Sequence, residues 1–189
     1  MERNSKYNCA LTGKSNNIKQ MLLFKEMNNI LMCDVNAKLS EKGLWCNPNR
    51  YDIEKAIKQK VFDKLLNKKL KIPSFFIEGI ENNLRLKVLN LIGLSKKAGL
   101  LEIGLDKVTK ALNRDLIDIV LIAKEDKKFN SFILKKIDEN NILFNKNFSR
   151  EEIGRAIGYK KVLCIALKVS KLSNALRLDI YKLNKFNMG

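Results

Sequence analysis

The order of apolar and polar positions in the first part of the chain predicts a small α+β unit. Two mostly apolar runs at 21–26 and 30–35 flank Asn28-Asn29, a pair that tolerates positive φ and favours a hairpin turn. Leu44-Trp45-Cys46 could add a third strand. Asn47-Pro48 then offers an N-cap residue followed by proline at the first helical position. The helix predicted after it has one apolar stripe, formed by Ile53, Ala56, Ile57, Val61 and Leu65.

The second part alternates helical and strand patterns, which is typical of a layered α/β domain. A helix is predicted over residues 84–98, and Gly104 precedes a second helix. The apolar runs 117–122 and 162–167 predict strands that are covered on both faces. The remaining predictions are a helix marked by Phe129, Phe132, Ile133 and Ile137, a strand at 142–144, a helix from the capping box Ser149–Glu152 to Gly158, and a last helix at 173–185.

The boundary between the two patterns falls near Pro73, which disfavours helical continuation through Ile72. We therefore expect one domain at 1–72, a linker or short helix at 73–83, and a second domain at 84–189. Residues 1–75 hold 15 basic and 7 acidic side chains, and residues 82–189 hold 22 and 11. Both halves carry a net positive charge, so neither neutralises the charge of the other.

Charge narrows the classes of function. The formal net charge is +17, and clustered lysine and arginine favour polyanions because they displace the counterions condensed on nucleic acid. A bias in nucleotide composition, a membrane surface or an acidic protein partner are the competing explanations. The chain has no histidine, which excludes Ser-His-Asp and Cys-His catalytic units and histidine-bearing zinc sites.

The four cysteines show no CxxC spacing, which favours a reduced protein of the cytoplasm. Cys9 and Cys46 could meet across a small domain, but two thiolates make a poor zinc site. We predict no metal and no cofactor. The start of the chain lacks an apolar leader and no apolar run approaches membrane-spanning length, so we expect no membrane association.

Gly104 and the helix after it are the most informative candidate site. Glycine before a helix lets a backbone approach closely, and the first-turn amides can receive a phosphate. Lys107, Lys110 and Arg114 follow at i, i+3 and i+7, so they project from one helical face. An ordinary solvated face explains this spacing equally well.

The stretch from Leu91 to Leu167 resembles the ribosomal L7Ae family of α/β/α sandwich proteins that bind kink-turn RNA. The resemblance lies in Gly-Leu-Ser-Lys-Lys-Ala-Gly at 93–99, in 104–110, in the strand 119–123 and in Arg-Glu-Glu-Ile-Gly-Arg-Ala-Ile-Gly at 150–158. The family pattern Gly-x-Asn-Glu-x-x-Lys is met at Gly104 and Lys110 but replaced at Asp106 and Lys107. The resemblance implies RNA contacts at these four positions and in a second loop at 158–161.

Residues 3–66 resemble the YlxR (DUF448) family, which is regarded as RNA-binding. The features are Cys-Ala-Leu-Thr-Gly at 9–13, Asp34 leading to Lys38-Leu39, Gly-Leu-Trp-Cys at 43–46 and Glu-Lys-Ala-Ile-Lys at 54–58. The family's Leu-Pro-Gly-Arg-Gly-Ala is Leu-Ser-Glu-Lys-Gly-Leu at 39–44, which keeps a basic tip at Lys42. A YlxR-like domain followed by an L7Ae-like (YlxQ-type) domain looks like the fused RNA-binding proteins of alphaproteobacteria.

We therefore expect a non-catalytic cytoplasmic protein with two basic modules that contact structured RNA, ribosomal or other, and that is associated with translation or RNA maturation. An adaptor on the ribosome or the transcription machinery is the first alternative, and a nuclease or RNA-modifying enzyme the second. The candidate RNA-binding residues are Lys42, Gly43, Lys55, Lys58, Lys97, Gly104, Asp106, Lys107, Lys110, Arg114, Lys160 and Lys161.

Overall fold

A computed structural model describes residues 6–36, 42–114, 117–126 and 131–188. The chain forms two compact units, which are described separately below. The N-terminal unit comprises the chain up to Arg85 together with the residues from Tyr181 onwards, and the C-terminal unit is Leu86–Ile180. The predicted positions Lys38-Leu39, residues 39–41 of the loop 39–44, and Phe129 lie outside the described residues.

The N-terminal unit is built on two small antiparallel sheets. Strands β1 and β2 pair with each other, and β3 is the central strand of a second sheet of order β4-β3-β5. The strands are β1 Lys6–Asn8, β2 Ser15–Asn17, β3 Leu22–Met27, β4 Ile30–Asp34 and β5 Leu44–Cys46. The predicted hairpin is confirmed, because Asn28 and Asn29 adopt φ of 54° and 60° between β3 and β4. The third strand, β5, is confirmed as well.

The helix after β5 differs from its prediction in two ways. Its N-cap is Asn49 rather than Asn47, and the Asn49 side chain accepts a hydrogen bond from the Asp52 amide at 2.9 Å. The predicted single helix is also divided into α1 Arg50–Lys58 and α2 Val61–Leu66, because Lys60 adopts the left-handed conformation. The break turns Phe62 into the core and leaves Leu65 46% exposed.

The long helix α3 spans Phe76–Lys97. It begins within the segment 73–83 that the sequence pattern indicated as a linker or short helix. Pro73 lies just before it and accepts a hydrogen bond from the Phe76 amide at 3.2 Å. The first turns of α3 carry the buried residues Ile77, Ile80 and Leu84 of the N-terminal unit.

The C-terminal unit is a four-stranded sheet of order β6-β9-β7-β8 with helices on both faces. The β6–β9 and β9–β7 pairs are antiparallel, and β7 and β8 are parallel. As predicted, the runs 117–122 and 162–167 supply the two central strands. Its elements after α3 are β6 Leu101–Ile103, α4 Leu105–Leu112, β7 Ile117–Ile122, α5 Ser131–Glu139, β8 Leu143–Asn145, α6 Arg150–Ala156, β9 Cys164–Lys168 and α7 Lys171–Met188.

Alternation along the strands divides the apolar residues between two faces of this sheet. Val120 and Ala166 belong to a buried cluster with the inner stripes of α4 and α5. Their neighbours Leu121 and Leu167 are also buried, and the alternation points them to the opposite face of the sheet. This mixed α/β unit has the layered arrangement that the sequence predicts.

At Gly43 the chain before β5 approaches β3 closely. A Cβ at this position would lie 2.6 Å from the carbonyl oxygen of Phe24 and 2.8 Å from the Leu23 Cδ1 atom. We expect Gly43→Ala to lower the free energy of unfolding by about 1–3 kcal/mol, because the Phe24 carbonyl belongs to the β3 backbone and the Leu23 side chain is fully buried. Urea unfolding followed by fluorescence of the single tryptophan, Trp45, measures it, since Trp45 is buried in β5.

Gly79→Ala is the matched control in the same unit. Gly79 lies in α3 and a Cβ there meets no atom within 4 Å. Alanine should therefore stabilise the helix by about 0.5–1 kcal/mol. Equal stability of the two variants would contradict the close approach at Gly43.

Candidate nucleic-acid interface

Four chain segments of the C-terminal unit meet at one edge of its sheet. This edge is formed by strand ends: the start of β9 and the ends of β6 and β7. The Gly104 amide donates to the Cys164 carbonyl at 3.0 Å, and the Ala123 amide donates to the Leu163 carbonyl at 2.8 Å. The segment before α6 joins them through the bond from the Val162 amide to the Arg150 carbonyl, also 3.0 Å. The start of α4, the end of β7, the start of α6 and the loop before β9 therefore share one edge.

Gly104 gives this edge an open helix start. Its φ of 89° lies in the region that favours glycine, and a Cβ there would meet no atom within 4 Å. No side chain caps α4, so its first-turn amides lack the partner that a serine or aspartate cap would supply. Amides of this kind, at the positive end of a helix dipole, favour an anion.

Exposed cations lie on the segments that meet at this edge. Lys107 lies in the first turn of α4, Lys124 follows β7, and Arg150 begins α6. These three side chains and Lys160 form no ion pair among the described residues. We call the set Gly104, Lys107, Lys124, Arg150 and Lys160 the basic edge.

Acidic groups near the basic edge offset part of its positive charge. Lys161 Nζ lies 3.1 Å from Glu151 Oε1, and its hydrogen bond lowers the pKa of that carboxyl. Glu125 accepts a hydrogen bond from the Arg150 amide at 3.1 Å. Asp106 is exposed in the first turn of α4. Lys161, one of the predicted phosphate ligands, is thus partly neutralised, although its side chain stays 61% exposed.

The remaining predicted residues of this unit are distributed more widely. Lys110 is exposed one turn further along α4. The helix ends at Leu112, so the predicted helical stripe stops short of Arg114, which lies in the following turn. Lys97 lines a groove between α3 and α6 together with Arg155. The structure therefore joins Gly104, Asp106, Lys107, Lys160 and Lys161 at one edge and places Lys97 in this groove.

Packing of the loop between α6 and β9 fixes the position of Lys160. Lys96 donates a hydrogen bond to the Ile157 carbonyl, and its ammonium lies 4.4 Å from the centre of the Tyr159 ring. Gly154 lies directly beneath the loop, because a Cβ there would approach the Tyr159 carbonyl oxygen to 2.7 Å. Lys96 thus supports the loop, whereas its neighbour Lys97 is exposed.

The N-terminal unit presents a second group of cations. Lys55 and Lys58 are exposed on α1 and line a pocket of about 230 Å³ with Tyr51. Tyr51 is 60% exposed and precedes Lys55 by one helical turn. Lys42 is exposed before β5, beside the tightly packed Gly43. The structure therefore adds an aromatic face to the two predicted lysines of α1.

Three contributors were missed from the sequence: Tyr51, Lys124 and Arg150. Tyr51 could have been found from its spacing of four and seven residues to Lys55 and Lys58. The other two depend on strand order, because only the pairing of β9 with β7 brings the end of β7 to this edge.

The described residues contain no helix that is both long and apolar enough to cross a membrane. Nor do three or more of their Cys, Asp or Glu side chains come together where a metal ion could be held.

The C-terminal unit is similar to a known protein family. Residues 87–177, just under half of the chain, match the model of the ribosomal protein L7Ae/L30e/S12e/Gadd45 family. The protein therefore has a mixed α/β fold with a C-terminal L7Ae-like domain. No curated protein matches the chain.

Two similar solved structures each cover about half of the chain. One is a protein with unknown function from Bacillus halodurans C, with 26% identity, a TM-score of 0.46, and coverage of 50% of this chain and 96% of that one. The other is the Giardia lamblia 15.5kD RNA binding protein, with 18% identity, a TM-score of 0.48, and coverage of 55% and 90%.

Gly154→Ala tests the support of the basic edge. We expect it to lower the free energy of unfolding by about 1–3 kcal/mol and to speed amide hydrogen exchange in 157–161, because the new Cβ displaces backbone atoms. Arg155→Ala, an exposed change on the same helix, should stay within about 0.5 kcal/mol of wild type. Unchanged exchange in Gly154→Ala would contradict the packing of this loop.

Proposed function

We propose that this protein is a non-catalytic RNA-binding protein of the cytoplasm whose L7Ae-like domain holds structured RNA at the basic edge. The observation that carries the proposal is the uncapped start of α4, which shares this edge with the exposed cations Lys107, Lys124, Arg150 and Lys160, none of which forms an ion pair within the described part of the chain. The family match of residues 87–177 supports RNA as the partner.

Phosphate contacts supply most of the affinity in this proposal. Unpaired surface lysines and arginines displace counterions from an RNA backbone, and they lose no protein partner when they do so. Backbone amides at the start of α4 add contacts that depend on the shape of the RNA rather than its sequence.

Asp106 and Lys107 change the selectivity expected of the site. An aspartate cannot donate a hydrogen bond as the amide of asparagine does. Lys107 replaces the family's glutamate, so the position favours a phosphate over a guanine edge. We propose that the protein prefers folded RNA, such as ribosomal RNA, with little preference for kink-turns.

The N-terminal unit is proposed as a second, YlxR-like module. Its support is the α1 face where Lys55 and Lys58 are available for phosphates and Tyr51 for stacking on a base. Two modules on one chain bind more tightly than either alone, because the first contact raises the effective concentration of the second. This arrangement suits a role in translation or RNA maturation on the ribosome or in a transcription complex.

The double variant Lys107→Gln with Lys124→Gln tests the basic edge. Two fluorescent RNA hairpins serve as probes, one with a kink-turn and one with the same stem fully paired. We expect weaker binding to both hairpins and a slope of log affinity against log salt that is smaller by about two. Fluorescence anisotropy across a salt series measures both quantities.

The wild-type protein should bind the two hairpins with affinities that differ by less than about tenfold, or about 1.4 kcal/mol.

Lys171→Gln is the charge-matched control. Lys171 is exposed after β9, at the opposite end of that strand from the basic edge. If Lys171→Gln lost as much RNA affinity as Lys107→Gln or Lys124→Gln alone, the loss would depend on net charge and not on the position of the lysine. Absence of salt-sensitive RNA binding in the wild type would favour the adaptor, and metal-dependent RNA cleavage would favour the nuclease.

The second module is tested by Tyr51→Ala and by Lys55→Gln with Lys58→Gln, in the full chain. The lysine variant should reduce the salt slope, because it removes phosphate contacts. The tyrosine variant should weaken binding by about 1–3 kcal/mol with an unchanged slope, because stacking releases no counterions. Lys69→Gln, an exposed lysine of the same unit, is the control. Binding that is insensitive to all three α1 positions would exclude α1 from the interface.

A further inference from the structure

Two cysteine sulfurs lie against each other in the N-terminal unit. Cys9 follows β1 and Cys46 ends β5, and they are 3% and 0% exposed. The Ala10 amide donates to the Trp45 carbonyl at 2.8 Å, which aligns the two segments. The Cys46 sulfur lies within hydrogen-bonding reach of the Cys9 sulfur, and its thiol also lies 3.9 Å from the Leu44 carbonyl oxygen. Both residues are free thiols in this structure.

The surroundings of the pair distinguish the two sulfurs. The bond from Cys46 lowers the pKa of Cys9 most, and it outweighs the opposing effect of burial. The Thr12 hydroxyl and the amides of Asn47 and Leu11 act in the same direction, and the Asn47 amide lies 3.3 Å from the Cys9 sulfur. The same bond and burial raise the pKa of Cys46. These surroundings favour the thiolate form at Cys9 and the protonated form at Cys46.

The other two cysteines have no such support. Burial raises the pKa of Cys33 to about 12 and that of Cys164 to about 11, and nearby carboxylates act in the same direction. Thiols that stay protonated react slowly with oxidants. These residues provide internal comparisons within the same chain.

Two hydrogen-bond partners of the Cys9 sulfur lie at an open pocket. Thr12 and Asn47, which both bond to its sulfur, also line an open pocket of about 200 Å³. Lys14 and Lys185 line the same pocket. A pocket of this size accommodates a molecule as small as hydrogen peroxide and brings it to side chains that contact the Cys9 sulfur.

We propose that Cys9 and Cys46 form an oxidation site that hydroperoxides convert into a disulfide. The Cys9 thiolate attacks the peroxide oxygen, which breaks the O–O bond, forms a sulfenic acid and releases water or an alcohol after protonation. The Cys46 sulfur then attacks the Cys9 sulfur and gives up its proton, and the sulfenic oxygen leaves as water. Two electrons pass from the thiol pair to the peroxide, and a dithiol reductant reverses the change.

The test uses the reduced full-length chain and hydrogen peroxide at one equivalent. Remaining thiols are blocked with iodoacetamide in denaturant, and the chain is then digested and mapped by mass spectrometry. We expect two of the four thiols to be lost and a Cys9–Cys46 linked peptide to appear. Dithiothreitol should restore all four thiols. A Cys33→Ser with Cys164→Ser variant should give the same linked peptide at the same rate.

Two variants then assign the roles. Cys46→Ser should stop at a Cys9 sulfenic acid that dimedone labels, and Cys9→Ser should give no labelling at Cys46. Oxidation that proceeds at Cys33 or Cys164 as fast as at Cys9 would overturn the proposal. So would loss of the Cys9 thiol in the wild type without the linked peptide. The wild-type map decides the question even if a serine variant does not fold.

Discussion

The pairing of β9 with both β6 and β7 is the constraint on which the candidate interface depends. Because β9 is antiparallel to both neighbours, its first residue meets the end of β6 and the end of β7. The loops at these three positions share one edge, and the bond from Gly104 to Cys164 fixes the start of α4 there. Without this register the cations of the basic edge would be unrelated surface lysines and an arginine.

Electrostatics explains why an edge of this kind suits RNA. Amides at a helix start and nearby lysines attract an anion together, and neither needs a particular base. Lys161 shows the opposite case, because Glu151 already compensates its charge. Unpaired cations, rather than the count of basic residues, are therefore the useful guide to a nucleic-acid surface.

The sequence predicted most of the elements because their signals are local. The hairpin at Asn28-Asn29, the glycine before α4 and the capping box at Ser149 depend on neighbouring residues, and the structure has all three. The helix break at Lys60 was missed because burial of Phe62 outweighs the apolar spacing. Lys124 was missed for another reason, since strand order brings it to the edge and no local pattern encodes that order.

The central claim is tested most directly by amide NMR of the full chain titrated with the kink-turn hairpin. The account predicts that shifts in the C-terminal unit concentrate at the start of α4, at Ala123 and Lys124, at Arg150 and in the loop before β9. Shifts that concentrate instead at the far end of β9 and the start of α7 would contradict it.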